Sequence, residues 1–356
     1  MELQEVFQFA ADKAASDIFI VAGAPIVVKA YGRPNAMGEA LTAEESAIAV
    51  ETLYTLADRE MTRLRDTGDD DFGLEIKDVT RFRVSAYRQK NSYAATMRLI
   101  PNKLPNAQKL GIPQCVMDLA TRQKGLVLVT GITGSGKSTT LACILDTINQ
   151  NRTGHIITIE DPIEYVHPHG KSVVSQREIE RDTETYLTAL RACLRQAPDV
   201  ILVGEMRDYE TISVALTAAE TGHLVFSTLH TIGAASTIDR IIDVFPDDRQ
   251  NQIRAQTSMV LQSVISQQLV PTVDGKLVAA YEIMHCNNAV RNLIREGKTH
   301  QLDNIISLSS NEGMIGMDTS LLNLYTNGMI TAENAIRYAV LPDMMRRRIA
   351  PGGVAL

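Results

Sequence analysis

The sequence predicts two domains in series: a small α+β domain, then a larger α/β domain built around a phosphate-binding loop. Three observations lead there. The chain has 356 residues, about twice the usual length of one compact domain. Its first hundred residues mix amphipathic helical and alternating strand patterns. From Gly125 onward, short runs of Val, Ile and Leu alternate with longer helical segments, as buried parallel strands do, and one such run leads into Gly131-Ile-Thr-Gly-Ser-Gly-Lys137-Ser138. The boundaries fall at residues 1–100 for the first domain, 101–113 for a proline-rich linker, and 114–356 for the second domain, whose part beyond about Gln250 reads as mostly helical.

In the first domain Leu3, Val6, Phe7, Ala10 and Ala14 recur at helical spacing, and Ile18–Val21 reads as a strand. Turn signals follow at Gly23–Pro25 and Gly32–Pro34, and Thr42-x-x-Glu45 is a capping box opening a second helix. Asp69-Asp70-Asp71 reads as an acidic turn. Thr80 to Tyr87 alternates, with Arg81, Arg83 and Ser85 on one face and Phe82, Val84 and Ala86 on the other. Between Asp78 and Asp118 there is no Asp or Glu, while Arg81, Arg83, Arg88, Lys90, Arg98, Lys103 and Lys109 are basic. This is either a solvated charged face or one that meets an anion, with Arg81, Arg83 and Arg98 as candidates to reach phosphates held by a neighbouring subunit.

The composition, 45% hydrophobic and 22% charged, excludes a disordered or collagenous chain. A formal charge of −7, with 5% aromatic residues and no Trp, argues against a nucleic-acid-binding protein, which normally has a basic excess and stacking platforms. No apolar run approaches the ~18 residues of a membrane span, and the N-terminus lacks a secretory pattern, so a cytoplasmic chain is predicted. Cys115, Cys143, Cys193 and Cys286 form no CxxC pair, which argues against disulfides and zinc.

Gly131 to Ser138 follows an apolar strand and opens a helix, the context a P-loop requires. Gly131, Thr133, Gly134, Ser135, Gly136, Lys137, Ser138 and Thr139 form the expected nucleotide-binding set. Glycines let backbone N–H groups close round phosphate oxygens, and the helix N-terminus adds favourable partial charge. Lys137 reaches the β- and γ-phosphates, and Ser138 ligates Mg²⁺. Three further strand-like runs end in Glu160-Asp161-Pro162-Ile163-Glu164, Gly204-Glu205-Met206-Arg207-Asp208 and Ser227-Thr228-Leu229-His230. Ligands bind outside the carboxyl ends of parallel strands, so these groups converge on the edge that holds the loop. Hydrolysis needs a carboxylate to deprotonate water and another group to help hold Mg²⁺; Glu164 and Glu205 are the candidates. Gly204 stands where a Walker B strand usually ends in Asp, which leaves Mg²⁺ to Ser138, the phosphates and water, with Glu205 reaching it indirectly.

GITGSGKSTT, TIEDPIEYVH, ILVGEMRD and TGHLVFSTLHT resemble, in order, the Walker A, Asp box, Walker B and His box of secretion ATPases. AVRNLIREGK (Ala289–Lys298) resembles the AIRNLIRE element of the pilus-retraction motors in that superfamily, and motif order matches along the whole chain. The resemblance implies a RecA-like P-loop ATPase domain preceded by a smaller α+β PAS-like domain, working as a homohexamer. It implies ATP and Mg²⁺ as ligands, hydrolysis coupled to type IV pilus retraction, and partners in the inner-membrane platform protein and the pilus machinery. The place implied is the inner face of the cytoplasmic membrane at the pilus base. By position it makes Glu164 the general base, Glu205 a support for Mg²⁺ and water, and His223 and His230 sensors of nucleotide or of an interdomain contact. Ala289, Val290, Arg291, Asn292, Leu293, Ile294, Arg295 and Glu296 become the retraction element.

The family's N-terminal Ser-Asp-Leu-His reads Ser16-Asp17-Ile18-Phe19 here, and its Ala-Ile pair reads Ala289-Val290. On residues alone, Val290, Leu293 and Ile294 form a stripe that means only core packing, and Arg291 and Arg295 share the polar side, where like charges repel. Arg346–Arg348 reads equally as a solvated tail or an anionic-lipid contact. Alternatives are an accessory retraction paralogue, an assembly ATPase (usually marked by a four-cysteine zinc module and a longer N-terminal region), a nucleic-acid translocase, and a nucleotide switch without turnover.

Overall fold

A computed structural model describes residues 2–77, 79–100 and 104–349. Lys103 of the basic stretch and the first three residues of the predicted linker lie outside the described residues. By internal contacts the chain divides into two units, Met1–Leu104 with Pro162–Val166, and Pro105–Asp161 with His167–Leu356.

The predicted first helix forms as α1 (Leu3–Asp12), burying Val6, Phe7 and Ala10. Then come β1 (Asp17–Ile20), β2 (Ile26–Ala30), β3 (Arg33–Met37), α2 (Ala43–Leu56), α3 (Thr62–Thr67), β4 (Asp69–Ile76), β5 (Thr80–Gln89) and β6 (Ser92–Ile100). The strands form an antiparallel sheet in the order β3-β2-β1-β6-β5-β4. The capping box at α2 is present, with Glu45 N donating to Thr42 Oγ1 at 3.1 Å and Thr42 N to Glu45 Oε2 at 2.8 Å. The alternation in β5 packs Phe82, Val84 and Ala86 inward, Phe82 against Phe7 at a centroid distance of 5.3 Å.

Asp69–Asp71 is not a turn. The reversal is made by Gly68 at φ +88, and the three aspartates begin β4. A buried carboxylate is tolerated in a strand only when its oxygens are paired, and Asp70 is fully paired. Arg59 Nη2 donates to Asp70 Oδ1 at 2.8 Å, and Arg59 Nε and Tyr54 Oη donate to Oδ2 at 3.1 and 2.9 Å. We expect Asp70→Ala to destabilise this unit by roughly 3–5 kcal/mol, because Arg59 and Tyr54 would lose their buried partner. Limited proteolysis and thermal unfolding of the full chain check this; a melting curve superimposable on wild type would contradict it.

The second unit comprises α4 (Gln114–Met117), β7 (Gly125–Thr130), α5 (Lys137–Asn151), β8 (His155–Glu160), β9 (Val173–Glu178), α6 (Tyr186–Cys193), β10 (Val200–Val203), α7 (Tyr209–Glu220), β11 (Leu224–Leu229), α8 (Ala234–Asp243), α9 (Asp247–Val260), β12 (Leu261–Pro271) and β13 (Leu277–His285). It ends with α10 (Asn288–Arg295), α11 (Leu302–Leu308), α12 (Met317–Thr326), α13 (Ala332–Tyr338) and α14 (Pro342–Ile349). Its sheet runs β13-β12-β7-β11-β10-β8-β9, parallel except for the antiparallel β12–β13 pair. β7 is buried on both faces. Leu126 and Leu128 pack with α6, α7 and α8, while Val127 and Val129 pack with α5 on the other side, as expected of a doubly wound sheet.

The mostly helical reading beyond Gln250 is wrong for residues 261–285, which form the β12–β13 hairpin. β12 lies between β13 and β7, so its buried positions include Ser263, Ser266 and Gln267. Polar residues bonded to backbone and neighbours hide the apolar rhythm by which strands are recognised. Ser263 Oγ, for example, donates to Met284 O at 2.8 Å. Within the segment read as a linker, Ile112 is buried in the core that holds Cys143 and Ile144.

Candidate nucleotide and catalytic site

Parallel register brings four strand ends to one edge. Thr130 of β7 pairs with Leu229 of β11, Ser227 of β11 with Val203 of β10, and Val203 with Ile159 of β8. The phosphate loop leaves this edge after Thr130. Gly134 and Gly136 adopt φ of +78 and +89, and Gly136 is the N-cap of α5. The loop therefore turns its N–H groups toward a common centre at a helix start. Lys137 is buried, and its Nζ donates to Gly131 O at 2.8 Å and Ile132 O at 3.0 Å, which holds the ammonium over the loop. Ser138 and Thr139 are half-buried in the first turn, and Thr133 is exposed. Ser135 Oγ and Thr130 Oγ1 are buried with no hydrogen-bond partner among the described residues. Unsatisfied hydroxyls are costly in an interior. Their presence at this loop fits a site whose polar partner is a phosphate group.

Beside the loop lies a charged cluster. Glu205, one residue past Gly204, accepts from Arg207 Nε at 2.7 Å and faces His230 Nε2 at 3.7 Å. The hydrogen bond to Glu205 holds the Arg207 pKa above its usual value. Glu160, at the end of β8, accepts from Thr158 Oγ1 at 2.6 Å and Gln176 Nε2 at 3.1 Å through one oxygen. Tyr186, at the start of α6, stands among these groups. Burial raises its pKa, and the carboxylates of Asp161, Glu205 and Glu160 raise it further. Glu160 and Tyr186 were missed as site residues. Glu160 is readable, since it ends a strand; Tyr186 is at least 15 residues from every motif and is brought in by α6 alone.

Tyr186 also accounts for Gly204. A Cβ on Gly204 would lie 2.9 Å from Tyr186 Oη and 3.1 Å from Ile159 O, so an aspartate here would require Tyr186 or the end of β8 to shift.

The remaining predicted residues divide. His230 follows β11 at the loop edge, but His223 precedes β11, with Nδ1 against Ala218 O at 2.9 Å. The six residues of β11 separate it from the edge by roughly 20 Å, so the structure does not bring His223 to the loop of its own chain. Glu164 is exposed and falls within Pro162–Val166, which groups with the first unit. In that unit Arg81 is buried and pairs with Glu75 at 3.9 Å, and Arg98 pairs with Asp17 at 3.1 Å. Arg83, half-buried, lies opposite Arg98 on β6. The acid-free stretch of sequence is thus partly neutralised by carboxylates from other strands.

The predicted element falls on α10 (Asn288–Arg295), with Glu296 at its C-cap; at the N-terminus Asn287 Oδ1 accepts from Val290 N at 3.0 Å. Val290 and Ile294 are buried, Leu293 is half-buried, and Ala289, Asn292, Arg295 and Glu296 are exposed. Arg291 is not the free surface residue its position on the polar side suggests. Its Nη1 donates to Ser258 O at 2.6 Å and Met259 O at 2.9 Å, the last carbonyls of α9, where a cation also meets the negative end of the helix dipole. This contact outweighs any repulsion from the exposed Arg295.

A glycine-rich phosphate loop on a parallel doubly wound sheet, with carboxylates on the neighbouring strand ends, defines a RecA-like P-loop ATPase. The chain belongs to the Type II/IV secretion system protein family, which matches residues 2–320. It is 44% identical over 344 residues to the type IV pilus retraction ATPase PilT of Pseudomonas aeruginosa, spanning 96% of this chain and 99% of that protein. The type IV pilus ATPase PilU of the same organism is 39% identical over 354 residues, 99% of this chain and 92% of that one. A crystal structure of the pilus retraction motor PilT with bound ADP matches with a TM-score of 0.90 at 45% identity, covering 98% of this chain and 99% of that chain.

The Gly204–Tyr186 contact is testable. Gly204→Asp is expected to lower stability by about 1–3 kcal/mol, the usual cost of overpacking, and to slow ATP turnover rather than improve it. Thermal unfolding and phosphate release on purified protein decide; a faster, equally stable variant would show that the position accepts a metal-binding carboxylate after all.

Proposed function

We propose that this chain is a homohexameric ATPase motor that retracts a type IV pilus from the cytoplasmic face of its base, where it meets the membrane platform protein. The observation that carries this reading is the 44% identity to a pilus retraction ATPase along nearly the full length of both chains. The PilU-type paralogue is the second reading, favoured less because identity to PilU is 39% over a similar span. Retained AVRNLIRE residues on an exposed, capped helix support a coupling surface rather than core packing alone.

In this reading Lys137 and the loop N–H groups hold the β- and γ-phosphates, and Ser138 would hold a Mg²⁺ ion, which would supply charge neutralisation between the phosphates. Glu164 removes the proton from the attacking water. Glu205, oriented by Arg207, would reach a bound metal ion through water. His230 reports on that carboxylate. Arg83 is the strongest candidate to reach a neighbour's phosphates, since Arg81 and Arg98 already hold carboxylates.

Glu164→Gln should still bind ATP while hydrolysis falls roughly 10²–10⁴-fold, the usual scale for a positioned base. Tight binding with wild-type turnover would remove Glu164 from the mechanism. For the shared site, Arg83→Ala chains mixed with Lys137→Ala chains are expected to regain part of the ATPase rate that each lacks alone. No recovery at any ratio, with rings formed, would place Arg83 outside the neighbour's site.

Coupling is tested at Arg295, which is exposed and leaves the Arg291 anchor intact. Arg295→Ala should keep at least about half of the ATPase rate, since surface substitutions rarely perturb stability, while cells lose twitching and accumulate surface pili. Normal twitching would return α10 to an ordinary surface helix.

A further inference from the structure

A buried polar contact behind the phosphate loop involves no residue of the nucleotide motifs except through Thr140. Gln267 follows Ser266, which pairs with Thr130 at the end of β7, so it stands level with the start of the loop. It is 3% exposed. Its atoms fill the space behind two loop glycines: a Cβ on Gly131 would fall 2.3 Å from Gln267 O, and one on Gly136 would fall 2.7 Å from Gln267 Nε2. These close approaches, with φ of +139 and +89, restrict both positions to glycine. Gln267 Oε1 accepts from Thr140 Oγ1 at 2.8 Å, three residues past Lys137 in α5. Across the hairpin Gln267 is the register partner of Tyr281, which is also buried. Side chains from α5 and β12 therefore satisfy one another beside the apolar layer of Ile144, Ile265 and Ile283.

We propose that Gln267 is a positioning residue for ATP hydrolysis, acting through Thr140 and the loop glycines. The proposal rests on the ATPase reading above. The buried bond leaves Thr140 no water to exchange with, so the first turn of α5, and with it Lys137 and Ser138, keeps one position relative to β12. Gln267 touches no nucleotide in this account; its effect is on where the loop stands when the γ-phosphate is cleaved.

The test uses the full chain and steady-state phosphate release with ATP. Thr140→Val and Gln267→Leu are each expected to lower kcat by about 10- to 100-fold, the scale of a small displacement of reacting groups, with KM changed less than about 3-fold. The double variant should be no slower than the worse single one, because both act through one bond. Thr140→Ser, which keeps the hydroxyl, should restore most of the rate. Should Gln267→Leu fail to fold, the Thr140→Val and Thr140→Ser pair still decides. Equal rates for Val and Ser, a change confined to KM, or losses that multiply in the double variant would overturn the proposal. A wild-type chain without turnover would overturn the ATPase reading and the proposal with it, whereas an active wild type with an equally active Thr140→Val removes the proposal alone.

Discussion

β7 pairs in parallel with β11 on one side and β12 on the other, and everything at the site depends on that double pairing. It brings Thr130 level with Leu229 and Ser266, so the loop that follows β7 opens beside His230 and in front of Gln267. A slip of one residue would turn every inward side chain to the opposite face. It would part Leu126 and Leu128 from α7, and Val127 and Val129 from α5. Burial on both faces therefore enforces the register, and the register places the chemistry.

Charge is handled by pairing rather than by exposure. Asp70 lies in a strand because Arg59 and Tyr54 satisfy it. Glu205 faces the loop edge with Arg207 against it. Arg81 and Arg98 hold carboxylates contributed by other strands. These contacts explain why a stretch of 39 residues without acid, Val79 to Met117, does not form a uniform positive face. Linear charge patterning counts neighbours in sequence, whereas ion pairs form between neighbours in space.

The C-terminal half ties α10 to the sheet. α10 follows β13 after a short connection, and Arg291 fastens it to the end of α9. Only the outer residues of α10, Asn288, Ala289, Asn292 and Arg295, are presented to solvent. The helix is thus rigidly mounted, with its apolar stripe and one of its two arginines committed to the fold.

Much of this was legible from local pattern. The P-loop, the capping box of α2, the parallel strands β7, β8, β10 and β11 and the buried stripe of α10 each follow from spacing or turn chemistry within a few residues, where sequence distance and spatial distance agree. The sequence by itself also ordered the nucleotide motifs along one chain. Only the tertiary structure decided the rest: the β12–β13 hairpin, the wedge of Tyr186 over Gly204, the anchoring of Arg291 and the separation of His223 from the loop edge. Each depends on contacts between residues far apart in the chain. A buried Gln267 or Tyr186 has the same local signature as an exposed one, and its partner is chosen by how the sheet and helices pack.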